Sequence, residues 1–175
     1  MNAELRPLPP PKRRRDPKYK PSFKPRHTRT AVLAIGSTLR EYALLIRLHR
    51  PIGIWLLMWP ALWALWIAGQ GLPDQKLLML FLAGIFVMRS AGCVINDYAD
   101  RDFDPSVERT RDRPLAAKRV APGEALVLFV VLGLIATWLA MQLDPLPRLY
   151  AAAGGLLAVT YPWLKRFVYL PQFYL

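Results

Sequence analysis

The sequence predicts an all-α fold, a polytopic membrane helical bundle with four spans, and three observations carry that prediction. The chain is 54% hydrophobic, and its apolar residues collect in four long runs rather than alternating with polar ones, as membrane-crossing helices require. Short polar loops separate the runs, which argues against four helices buried in a soluble core. Charge is segregated: 24 Lys and Arg stand against 12 Asp and Glu, and most of the cations fall on segments that an even number of spans returns to one side.

Residues 1–30 are basic and proline-rich with no apolar run, so they are expected to form a disordered tail. They lack the short apolar core of a secretory signal peptide. Residues 31–50 have the pattern of an amphipathic interfacial helix, with Arg40 and Arg47 seven residues apart on the face turned to anionic lipid. Residues 51–175 form the transmembrane part. Its spans are expected at Ile52–Ala68, Leu77–Ile95, Ala125–Leu143 and Leu149–Leu164, each close to the roughly 17–20 residues that cover a hydrocarbon core of about 30 Å. Trp55, Trp59, Trp63 and Trp66 make a stripe along the first span, facing lipid, packing, or walling a hydrocarbon tail.

The N-terminal segment, the 96–124 loop and the segment after the fourth span hold nearly all the basic residues. Lys76 and Arg148 alone fall on the opposite side, and Arg89 lies inside the second span. Positive charge stays cytoplasmic, so the expected topology has the N-terminus and the 96–124 loop in the cytoplasm. A pI near 10.3 is shared with nucleic-acid binders, but the chain has no folded reader module. Membrane lipids are the expected partner and no nucleic acid is expected. A single cysteine, Cys93, excludes an intrachain disulfide.

The residues that carry chemistry are Asn96-Asp97-Tyr98-Ala99-Asp100-Arg101-Asp102-Phe103-Asp104, at the end of the second span. On a continuing helix Asp97, Asp100 and Asp104 fall on one face, with Asn96 flanking it and Asp102 nearly opposite. Carboxylates grouped beside a membrane repel one another unless a cation neutralises them. Oxygen-only ligands suit Mg²⁺, which binds through a few carboxylates and substrate phosphates. Asp97, Asp100 and Asp104 are therefore the candidate metal and catalytic residues. A calcium loop is excluded because Ala99, Arg101 and Asp102 occupy positions that need ligands or glycine. The basic run Arg109-Thr110-Arg111-Asp112-Arg113-Pro114-Leu115 follows at once, suited to a departing pyrophosphate. Arg89, inside a span, calls for an interior partner or a function.

The run Asn96 to Asp104 resembles the N-D-x-x-D-x-x-x-D motif of UbiA-type intramembrane prenyltransferases. Arg47-Leu48-His49-Arg50-Pro51-Ile52-Gly53, Arg109 to Leu115, and Tyr161-Pro162-Trp163-Leu164-Lys165-Arg166 resemble the 4-hydroxybenzoate polyprenyltransferase branch. That resemblance implies about nine transmembrane helices in the whole family fold. It implies transfer of a polyprenyl group from polyprenyl diphosphate to 4-hydroxybenzoate, in the bacterial inner membrane. Carried over by residue, Asp97, Asp100 and Asp104 would hold Mg²⁺. Asn96, Arg101, Arg113, Tyr161 and Lys165 would serve the diphosphate, and Arg47 and Arg166 the aromatic substrate. The family has a second aspartate-rich motif, whereas the only aspartate after Asp112 here is Asp144. The expectation is of an N-terminal part with little activity alone. The alternative is a non-catalytic membrane remnant or partner subunit that binds anionic lipid.

Overall fold

The computed structural model describes residues 31–164. The tail expected at 1–30, and Lys165 and Arg166, lie outside the described residues. The elements are α1 (Ala31–Leu45), α2 (Ile52–Ala68), α3 (Gln75–Asp100), a single 3₁₀ turn (Asp104–Ser106), α4 (Pro122–Ala140) and α5 (Pro145–Leu164). No strand occurs among the described residues, and the all-α membrane bundle is the fold found.

The helix boundaries have local causes. Asp74 caps α3, its carboxylate accepting from the Leu77 N–H at 2.8 Å, which satisfies one of the unpaired amides of a helix start. Pro122 opens α4, and the Glu124 carboxylate accepts from the Ala121 N–H at 3.2 Å. Between α2 and α3 the chain turns at Gly71, whose φ of +137° is open to glycine.

Four spans were expected, and among the described residues two helices, α3 and α4, are long and apolar enough to cross a membrane. α2 is apolar but has 17 residues. α5 is long enough, yet Arg148, Tyr150, Tyr161, two glycines and its prolines dilute its apolar character. Trp63, Leu134, Trp138 and Leu156 lie exposed on α2, α4 and α5, an outward apolar surface suited to lipid and costly in water. Trp55 and Trp59 stack along the outer face of α2, with ring centroids 6.5 Å apart.

α1 ends sooner than the sequence implied. It closes at Leu45, and Arg47 adopts a left-handed backbone with φ +59°. The N–H of Arg47 donates to the Leu44 carbonyl at 3.1 Å, and that of Leu48 to Ala43 at 3.0 Å. This αL ending satisfies carbonyls the helix leaves open. The expected shared face of Arg40 and Arg47 is therefore broken: Arg40 is exposed while Arg47 turns towards α3.

α3 is the central element, packing most extensively on α4 and also on α2 and α5. One core joins the end of α1 (Leu45), the C-terminal half of α3 (Val94), the following loop (Leu115, Val120) and the start of α4 (Ala125). Tyr42, Tyr98 and Phe129 pack around it. Close packing of these groups fixes the 104–121 loop against the end of α3.

Candidate active site

The site forms where α3 ends. Asp97, in its last turn, is 1% exposed, and Asp104, in the 3₁₀ turn, is 7% exposed. Charges so far from water are costly unless paired. Two guanidiniums pair them. Arg47 Nη2 donates to Asp97 Oδ1 at 2.7 Å. Arg113 Nη1 lies 3.0 Å from the same Asp97 oxygen and 2.8 Å from Asp104 Oδ2. A single cationic nitrogen thus bridges two carboxylates, and the four groups together are neutral.

The way Asp104 reaches this cluster differs from the sequence reading. The helix does not continue through it: α3 stops at Asp100, and Asp104 begins a separate 3₁₀ turn. Pro105 explains the stop, since it has no N–H to donate to the Arg101 carbonyl four residues back and its ring crowds that carbonyl. Asp104 is held by Arg113 and by Thr110, whose buried hydroxyl donates to the Asp104 carbonyl at 3.1 Å. Thr110 was not singled out in the sequence.

The other expected residues divide. The Asn96 side-chain amide donates to Asp100 Oδ2 at 3.3 Å, so this pair runs along the helix beside the cluster. Asp102 points into solvent, with Arg101 Nη2 3.7 Å away. Arg101 folds back on its own helix, donating to the Tyr98 carbonyl at 2.8 Å with its guanidinium 4.5 Å from the centre of the Tyr98 ring. Tyr161 is half-buried in the last turn of α5, and no hydrogen bond joins it to the cluster among the described residues. Arg89, nearer the middle of α3, donates to the Cys93 thiol, and its guanidinium packs so closely on α2 that a side chain at Gly53 would overlap it.

Among the described residues, no group of three or more His, Cys, Asp or Glu side chains stands close enough to hold a metal ion. The three-carboxylate set expected from the sequence is therefore not assembled. Two carboxylates do converge, on Arg113 Nη1, and their hard oxygen donors fit Mg²⁺, which takes few protein ligands when phosphates supply the rest. Arg113 Nη1 lies between the two carboxylates, within 3.0 Å of each. Asp97 and Asp104 are the residues that would hold such a cation, and Arg47 and Arg113 are cations suited to an oxyanion.

The UbiA prenyltransferase family is matched over residues 57–175. A 4-hydroxybenzoate octaprenyltransferase of Nitrosococcus oceani is 58% identical over 134 residues, 77% of this chain and 47% of the relative. Its counterpart in Alkalilimnicola ehrlichii is 55% identical over 77% of this chain and 46% of the relative. That of Methylococcus capsulatus is 52% identical over 81% of this chain and 49% of the relative. The chain therefore spans about half the length of the curated relatives it matches. No solved structure matches it.

Proposed function

The chain belongs to the UbiA prenyltransferase family, and on that premise we propose that it serves transfer of a polyprenyl group from polyprenyl diphosphate to 4-hydroxybenzoate in ubiquinone biosynthesis. The carrying observation is the buried Asp97, at the end of a membrane-length helix, meeting Asp104 under the shared guanidinium of Arg113. It acts in the inner membrane, with the N-terminus and the 96–124 loop cytoplasmic.

Asp97 and Asp104 would hold Mg²⁺, with Asp100 and Asn96 beside them. Bound there, Mg²⁺ supplies Lewis-acid stabilisation of the departing diphosphate. Arg113, joined by Lys165, binds diphosphate oxygens. Arg47 is engaged with Asp97, which favours a role at this end of the site and leaves Arg166 for the acceptor carboxylate. The allylic carbon–oxygen bond breaks and the electron pair leaves with pyrophosphate. The ring carbon beside the acceptor hydroxyl bonds to the allylic carbon and then loses its proton. The apolar helices keep water from the allylic cation.

The test is labelled prenyl transfer in membranes, with the chain alone and joined to the C-terminal half of a relative, over a panel of aromatic acceptors. Preference of the joined chain for 4-hydroxybenzoate supports the reading. Preference for homogentisate or a naphthoate overturns the acceptor. No transfer at all by an inserted, joined chain favours a non-catalytic membrane protein that binds anionic lipid.

A further inference from the structure

We propose that Arg113 is a resident counter-cation: its guanidinium fills the place between Asp97 and Asp104 in the substrate-free site and withdraws to the diphosphate when a divalent cation arrives. The inference rests on the metal-diphosphate reading and adds an order of events to it.

Four observations carry it. Both bonds to the carboxylates pass through one atom, Arg113 Nη1, so a single movement frees both. The Arg113 side chain is 22% exposed while those of Asp97 and Asp104 are 2% and 10% exposed, so the arginine has a route out and the carboxylates do not. Arg113 stands in the loop after α3 rather than on a helix. Arg47 approaches Asp97 independently and continues to neutralise it.

Charge sets the order. Two carboxylates and two guanidiniums sum to zero, so a divalent cation alone makes the cluster doubly positive. An arriving pyrophosphate group offsets that excess and gives Arg113 a new partner. Cation and diphosphate therefore bind cooperatively, and Arg113 opposes the cation when it comes alone.

The experiment measures Mn²⁺ binding by electron paramagnetic resonance, with and without inorganic pyrophosphate, on the 175-residue chain and its Arg113→Gln variant in lipid nanodiscs. The variant should bind Mn²⁺ alone about tenfold more tightly, the scale on which a charge at contact distance shifts a neighbouring equilibrium. It should also gain less from pyrophosphate than the unmodified chain does. Equal or weaker Mn²⁺ binding by the variant overturns the proposal and leaves the metal-diphosphate reading standing. No binding by either protein, with or without pyrophosphate, overturns the proposal, and the same result on the chain joined to the C-terminal half of a relative overturns the metal-diphosphate reading as well. If Arg113→Gln does not accumulate, melting of the unmodified chain decides. A melting temperature unchanged by EDTA, with Mn²⁺ affinity raised by pyrophosphate, supports the resident arginine. Melting that falls in EDTA overturns it.

Discussion

Arg47 Nη2 and Asp97 Oδ1 meet at 2.7 Å across a separation of 50 residues. The contact depends on a left-handed backbone at Arg47, φ +59°, a conformation that costs a non-glycine residue about 1–2 kcal/mol. The end of α1 is thus strained where it delivers a cation to the buried carboxylate, a pattern that collects at functional sites.

Substitution at Arg47 should separate the ion pair from the strain. Arg47→Ala removes the pair and keeps the strain; Asp97 retains Arg113, so the loss should be about 1–3 kcal/mol, the scale of withdrawing one hydrogen-bonding partner from a buried group. Arg47→Gly also removes the pair but relaxes the backbone, so it should be less destabilised than Arg47→Ala by about 0.5–1 kcal/mol. Denaturant unfolding in mixed micelles measures the order. A glycine variant weaker than the alanine one contradicts the assigned strain.

Thr110 fixes Asp104 through a buried hydrogen bond to its carbonyl. Thr110→Val keeps the shape and deletes the donor, and should cost about 1 kcal/mol. Thr110→Ser should retain most of the stability. Equal melting of all three proteins would show that the hydroxyl does not hold the turn.

Gly53 and Arg89 should be energetically coupled, because a side chain at Gly53 would overlap the guanidinium. The far end of a flexible side chain can yield, so Gly53→Ala should cost only about 1 kcal/mol, and almost nothing when Arg89 is already alanine. A double-mutant cycle of unfolding free energies tests this; strict additivity rejects the contact.

The ion pair between Arg119 Nε and Glu41 Oε2, at 2.8 Å, ties α1 to the loop. Arg119 is exposed, so Glu41→Gln should cost less than about 1 kcal/mol and lose that effect at high salt. A penalty as large as that of Arg47→Ala would overturn the ranking of buried over exposed pairs.

The legible part of the molecule is the part that local pattern determines. Hydrophobic runs placed α2 on its observed residues and located α3, α4 and α5, because span length and apolar character are written along the chain. The aspartates near the end of α3 were identifiable from spacing and chemistry. The errors arise where one periodicity was extended too far. Helical spacing was carried through Asp104 although Pro105 follows it, and through Arg47 although the helix had ended. The Arg47–Asp97 pair, the Arg113 bridge and the Gly53–Arg89 contact depend on elements meeting in space, which no local pattern records. Thr110 lay inside a recognised motif, but nothing in its position distinguished it from an exposed threonine.

The most direct test of the central claim, that Asp97 and its partners form the diphosphate site, is the prenyl-transfer rate of Asp97→Asn. It is measured in membranes, in the chain joined to the C-terminal half of a relative, beside the unsubstituted joined chain. The asparagine preserves size and removes the charge. Normal insertion with transfer reduced by about 100-fold or more is the predicted result, the scale of losing one preorganised electrostatic group. Transfer at the unsubstituted rate would contradict the assignment of Asp97 and of the site built around it.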